Sequence, residues 1–509
     1  MNKKQVSLLL STTLAVSLVA GCASGTKEAE QPNAAGGQAE APKGPTKISI
    51  MANLHTPEVP SDMIEKLVEE KANVDLDIQW VPDGSYEEKL NASFATGTLP
   101  QVVYMKNQTS LIMFRDAIRN NQFWEIGPLL KDYPNLSKLD KNVLNNVSVD
   151  GKIYSLYQER PLSRQGLIYR KDWADNLGLK APTNTEELYA MAKAFTENDP
   201  DKNGKKDTIG ITDRSDLVYG AWKTVASYFG VPNNFEVKDG KIQPEFMNPN
   251  YVETLKYFKR LHSEGLINKD FPVTSKTDQQ NLFITGKAGM YIGSMGDVVS
   301  LHTKMIDVNP NIVLDVQNDI KGPQGTFQVW AIPGYGSATL FPKSAVKTEA
   351  ELKAILSFYD KLMSPELGNL IYWGVEGPHY KKEGDKIVPS EDKKLTDREV
   401  KAYQALQVGG ESSIDMFVPI HTLPAKDKAE KLVKDNNKSL IHDPTAPLDS
   451  KTYAEKGARL QELIKDATYK YILGSIDEAG FQKAVDQWKS EGGNAIMEEF
   501  TASYNAAKK

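Results

Sequence analysis

Lys47-Ile-Ser-Ile-Met-Ala-Asn-Leu54 opens a run that ends at Gln101-Val-Val-Tyr-Met105, and the alternation of element types between these two stretches sets the fold. The first reads as a strand. A helix follows from about Ser61, with Met63, Ile64, Leu67 and Val68 on one face, and Asp75 to Val81 reads as a second strand. Tyr86, Leu90 and Phe94 recur every four residues until Gly97 stops that helix, and Gln101–Met105 is a short buried strand. The order β-α-β-α-β calls for a parallel sheet with helices against it, an α/β fold. In such sheets ligands sit beyond the carboxyl ends of strands, which nominates the loops at Asn53-Leu-His55 and Lys106-Asn-Gln108, and His55 and Asn107 as contacts.

Ahead of this run, Lys3 and Lys4 precede an apolar stretch from Val6 to Val19, about fourteen residues against the roughly twenty a spanning helix needs. That is the pattern of a secretory signal peptide. Val19-Ala20-Gly21-Cys22 then places small residues before a thiol, the lipobox pattern, so residues 1–21 are expected to be removed and Cys22 to carry acyl chains that hold the chain on the outer face of the cell membrane. Residues 22–46 hold no large apolar side chain beyond the lipidated Cys22 and read as a flexible stalk. Cys22 is the only cysteine, so disulfides and thiolate metal sites are excluded from the folded part.

What remains exceeds the roughly 300 residues at which single cores stop growing, so at least two lobes are expected. Gly151-Lys-Ile-Tyr-Ser-Leu-Tyr157 and Gln165-Gly-Leu-Ile-Tyr169 read as a strand pair, with the first crossover between lobes near them. The boundaries are set at 47–165 and 301–362 for the first lobe and at 166–300 and 363–509 for the second. The net charge of −6 is well mixed and excludes nucleic acid as a partner. No 20–50-residue repeat is present.

Asp199-Pro-Asp-Lys-Asn-Gly-Lys-Lys-Asp207 sets oxygens at positions 1, 3, 5 and 9 of a calcium loop, with Gly204 at position 6 and the Lys205 carbonyl at position 7. Asp199, Asp201, Asn203, Lys205 and Asp207 are the expected ligands of a structural calcium ion. Position 12 is Gly210 where an EF-hand has a bidentate Glu, and a solvated turn is the competing reading. Sugar rings stack on aromatic faces while their hydroxyls take planar polar partners. Trp222, Trp330 and Trp373, each in a stretch that reads as loop or loop edge, are the stacking candidates. Gln158, Glu159, Arg160, Arg164 and Asp297 are the polar ones, and the two arginines suit an acidic sugar.

The six histidines are never three or four residues apart, and no nucleophile elbow, Walker loop or dinucleotide fingerprint occurs. Distant carboxylate pairs of the glycosidase kind stay open to sequence reading.

Three stretches together resemble the family 1 extracellular solute-binding proteins of carbohydrate ABC importers, in the branch of the LplA-type lipoproteins and the alginate-binding proteins. They are Asp150-Gly-Lys-Ile-Tyr154 with Tyr169-Arg-Lys-Asp-Trp173 and Leu177-Gly-Leu179; Phe283-x-x-Gly-Lys-Ala-Gly-Met290; and Tyr471-Ile-Leu-Gly474. The resemblance implies a two-lobed periplasmic-binding-protein-like fold of type II, with parallel-rich sheets flanked by helices and hinge crossovers between lobes. It implies a monomer that closes on an oligosaccharide and docks on an ABC permease. Alginate-binding members carry a similar calcium loop, in which an acid stands where this chain has Thr208. The alternatives are a surface lipoprotein that presents ligand to a membrane kinase, and a polysaccharide-acting enzyme.

Overall fold

The computed structural model describes residues 44–507, so the leader, Cys22 and most of the stalk lie outside the described residues. The opening run folds as its periodicity predicts. Strands Thr46–Leu54 and Val74–Pro82 pair in parallel, and Ile50 and Met51 pair with Val102 and Val103 of strand Val102–Met105. The intervening helices bury Ile64 and Val68, and Tyr86 and Leu90, against this sheet. The first helix stops where Asn73 takes a left-handed conformation, φ 55°, the usual helix terminator.

Two further strands complete the sheet from far along the chain. Its order is Val74–Pro82, Thr46–Leu54, Val102–Met105, Tyr335–Leu340, Ser155–Glu159. Tyr335–Leu340 runs antiparallel to both of its neighbours, so Ser155–Glu159 runs with the first three. The second sheet has the order Leu314–Gln317, Gln165–Arg170, Ala288–Ser294, Ile209–Thr212, and only its last pair is parallel. Within the expected parallel-rich architecture, parallel pairing is concentrated in the first sheet and at one edge of the second.

Gly151–Tyr157 and Gln165–Tyr169 are not partners. Val149 and Lys152 close a tight turn, Ser155–Glu159 joins the first sheet and Gln165–Arg170 joins the second.

The cores divide the chain differently from the expected boundaries. One core draws on residues 48–157 and 335–414; the other sheet is covered on one face by residues from 167–320 and 448–500, and on the other by 168–316 with Ala425 and Ala429. Residues 301–320 thus pack with the second lobe, because Leu314–Gln317 supplies that sheet's edge strand. Residues 363–414 pack with the first, because helix Pro365–Trp373 buries Leu367, Leu370 and Ile371 there. Apolar burial of this kind, worth about 1.5–3 kcal/mol for each large side chain, decides lobe membership.

The chain crosses between lobes along 160–164 and 331–334. These segments bond to each other, Arg160 N–H donating to Gly334 O at 2.9 Å and Ile332 N–H to Leu162 O at 2.8 Å. A third crossing runs from Ile420, bonded to Ile387 of the first lobe, to Leu423, which packs on the second.

Candidate functional site

Strand direction locates the cleft. The carboxyl ends Leu54, Pro82, Met105 and Glu159 and the start Tyr335 share one edge of the first sheet; Thr212, Ser294, Gln317 and the start Gln165 share one edge of the second. Only residues 160–164 separate Glu159 from Gln165, so the two edges face each other at the hinge.

On the first wall, His55 is exposed just past its strand. Asn53, which sequence reading passed over, is buried there; its Nδ2 donates to Asp83 Oδ1 at 3.0 Å and its Oδ1 has no partner among the described residues. Asn107 caps helix Gln108–Met113, accepting from Ser110 N–H at 2.8 Å. Gln158 is buried and held by the Gln404 carbonyl at 2.9 Å. Glu159 accepts from the Ser412 hydroxyl at 2.7 Å and from its N–H at 3.2 Å, while burial pushes its carboxyl above the usual range. Arg160 is exposed, and its side chain lies over Gly336, where a Cβ would come within 2.5 Å of Nε. Its positive charge offsets part of the upward pKa shift that burial gives Tyr104 and Tyr372.

Trp373 ends its helix edge-to-face with Tyr372 at 4.9 Å, and its indole N–H is buried without an acceptor among the described residues. Tyr104 and Tyr372 carried a signal: one precedes the last residue of a strand, the other adjoins a candidate tryptophan.

The other two tryptophans are not loop residues open to a ligand. Trp222 lies in helix Ala221–Tyr228, 3% exposed, against the rings of Tyr251 and Phe258. It lines a cavity of about 540 Å³ between that helix and the carboxyl-terminal helices, together with Phe246, Tyr453 and Trp488. Trp330 is equally buried, its Nε1 donating to Thr224 Oγ1 at 3.1 Å, and it backs the half-exposed ring of Tyr219 at 5.7 Å. Tyr219 is the aromatic of that pair that solvent reaches.

On the second wall Arg164 is exposed, its carbonyl accepting from Met295 N–H at 2.8 Å. Asp297 accepts from the Tyr291 hydroxyl at 3.0 Å. Asp213, just beyond strand Ile209–Thr212, is fully buried, and its pKa is pushed up to about 7 by desolvation. Its Oδ1 accepts from Ala221 N–H at 2.9 Å.

The Asp199–Asp207 segment is a turn away from this cleft edge. Asp199 accepts from the N–H groups of Asn203 and Gly204 at 3.0 and 2.9 Å, and the Asn203 amide donates to Asp201 Oδ2 at 2.8 Å and Asp207 Oδ1 at 3.2 Å. Asp207 also pairs with Lys287 at 2.8 Å. Asp201 Oδ1 is buried without a partner; burial first, then Asp199 and Asp207, raises its pKa. Lys205 contributes its N–H to the Asn203 side chain. Among the described residues, no three or more Asp, Glu, His or Cys side chains are gathered as a preformed metal-holding group.

The bacterial extracellular solute-binding protein model matches residues 56–367. The chain belongs to that family. Over 511 residues, covering 100% of both chains, this solute-binding protein is 43% identical to the polygalacturonan/rhamnogalacturonan-binding protein YtcQ of Bacillus subtilis (strain 168). It is 34% identical to Lipoprotein LipO of the same organism, over 100% of this chain and 99% of the other. Among solved structures, the HMO-binding ABC-transporter-associated solute-binding protein of Bifidobacterium longum infantis ATCC 15697 superposes with a TM-score of 0.69 at 17% identity, covering 92% of this chain and 100% of that one. That likeness shows the two-lobed α/β fold. YtcQ and the Bifidobacterium protein are both named as binding proteins. No helix among the described residues is long and apolar enough to cross a membrane.

Proposed function

We propose that this solute-binding protein captures an oligosaccharide of pectic origin between its lobes and delivers it to an ABC permease, while acyl chains on Cys22 hold it at the outer membrane face. End-to-end similarity to a polygalacturonan/rhamnogalacturonan-binding protein carries the reading. The hinge supports it: a ligand touching both walls favours the closed form by its differential affinity, and closure is what a permease can sense. Likeness to a relative named a lipoprotein supports the anchor. The anchor is checked by fractionation, in which Cys22→Ala should move the protein from membrane to medium; continued membrane recovery of that variant would remove the proposal.

The Asp199–Asp207 turn is proposed to hold a structural calcium ion. Its donors fit a hard cation: Asp201 offers a buried oxygen with no partner, and one amide already bridges Asp201 and Asp207. The ion would supply positive charge to neighbouring carboxylates and tie the end of helix Thr185–Glu197 to strand Ile209–Thr212.

A thermal-shift screen tests both statements. Oligogalacturonides or rhamnogalacturonan oligomers at about 100 times Kd should stabilise the protein by roughly 2.7 kcal/mol. Chelation should lower the melting temperature of the parent and leave Asp201→Asn unaffected. A screen in which neither class of pectic oligomer raises the melting temperature refutes the ligand assignment, and indifference to chelator refutes the calcium.

A further inference from the structure

We infer that the guanidinium groups of Arg160 and Arg164, at the two ends of the first hinge segment, read a carboxylate of the bound saccharide and couple its recognition to lobe closure. The inference rests on the oligosaccharide reading above and specifies which chemical group of the ligand does the closing.

Charge accounting around the hinge carries it. Glu159 is satisfied by Ser412, Glu411 pairs with Lys434 at 3.5 Å across the lobes, and Glu430 pairs with Lys426. Against this background of engaged acids, neither Arg160 nor Arg164 has a side-chain ion pair or hydrogen bond among the described residues. Both are exposed.

The hinge floor therefore holds two uncompensated cations, each with a planar fork suited to a carboxylate. Their placement matters as much as their charge. Arg160 is fixed to the first lobe through Gly334 and Gly336, and Arg164 to the second through Met295. Four residues of chain hold them within about 14 Å. An anion engaged by both bridges the lobes at their pivot, where a neutral sugar would leave two like charges to approach each other on closing.

The test compares an oligogalacturonate of defined length with its fully methyl-esterified form, by titration calorimetry for affinity and by small-angle scattering for closure. The parent should bind the acid at least ~10-fold more tightly than the ester, as charge-assisted pairs require, and should compact with the acid. The double variant Arg160→Gln, Arg164→Gln should lose that preference and the compaction, binding acid and ester with equal affinity. Arg160→Lys should keep part of the preference, since the charge remains without the fork. Equal binding of acid and ester by the parent, or a preference that survives in the double variant, overturns the inference but leaves the oligosaccharide reading standing. If the parent binds neither oligomer, the pectic reading falls and this inference with it.

Discussion

Asn436→Leu should destabilise this protein by about 3 to 5 kcal/mol, because it leaves several buried polar groups without partners. Asn436 is 1% exposed at the end of helix Pro424–Asn436. Its Nδ2 donates to the carbonyls of Ser163 and Gln165, each at 3.1 Å, and its Oδ1 accepts from the amide of Asn318. Asn318 Nδ2 also reaches Gln165 O at 3.0 Å. The cluster grips the hinge segment at the point where it enters the second sheet. Leucine keeps the branched shape but strands the Ser163 carbonyl and one amide donor in a buried site. Denaturant unfolding should show the loss, and scattering should show a broader distribution of lobe angles. A loss under about 1 kcal/mol would mean that the hinge is held elsewhere.

Asp213→Asn should act in the opposite direction, with an effect that grows as pH rises above about 4 and is full above about 7. Burial pushes Asp213 up to about 7, against roughly 3.9 in an unfolded chain. The folded protein therefore holds a proton that the unfolded chain releases as pH rises above 4. The stabilisation this gives is complete below about pH 4 and is lost as pH rises through 7. Above pH 8 the ionised carboxylate costs on the order of 4 kcal/mol. Asparagine cannot ionise yet keeps an oxygen for Ala221 N–H, which the carboxylate meets at 2.9 Å. The other groups around it are Arg214, which offsets part of the cost, and Asp216, which adds to it. The variant should equal the parent near pH 4 and exceed it at pH 8, measured by thermal melts across that range. A variant that melts below the parent at pH 8 would show that Asp213 is ionised and stabilising in the folded protein.

Both predictions concern residues that carried no signal in the sequence. Asn436 sits in a polar Lys- and Asp-rich helix and has the look of a surface residue; contact with carbonyls more than 270 positions earlier makes it a clamp. Asp213 follows a short strand among other acids. Its burial comes from Asn268, 55 positions on, which accepts its N–H at 2.8 Å, and from the loop that returns to Ala221. Trp222 and Trp330 misled in the other direction, because flanking glycines and prolines suggested loops where the packing of Tyr251, Phe258 and Thr224 made core.

By itself the sequence determined the elements whose evidence is local. The β-α-β-α-β opening, the helix faces of Ile64, Val68, Tyr86 and Leu90, and the turn at Asp199–Asp207 follow from periodicity and backbone preference within a few residues. Resemblance in three stretches reached the family. Tertiary structure alone decided that Tyr335–Leu340 inserts between Val102–Met105 and Ser155–Glu159, that residues 301–320 and 363–414 exchange the lobes expected of them, and that Arg160 and Arg164 stand at the pivot without a side-chain ion pair among the described residues. The physical reason is that strand pairing and apolar burial are settled by whichever partner offers the better surface. For these segments that partner lies far away in the chain, beyond the reach of any local pattern.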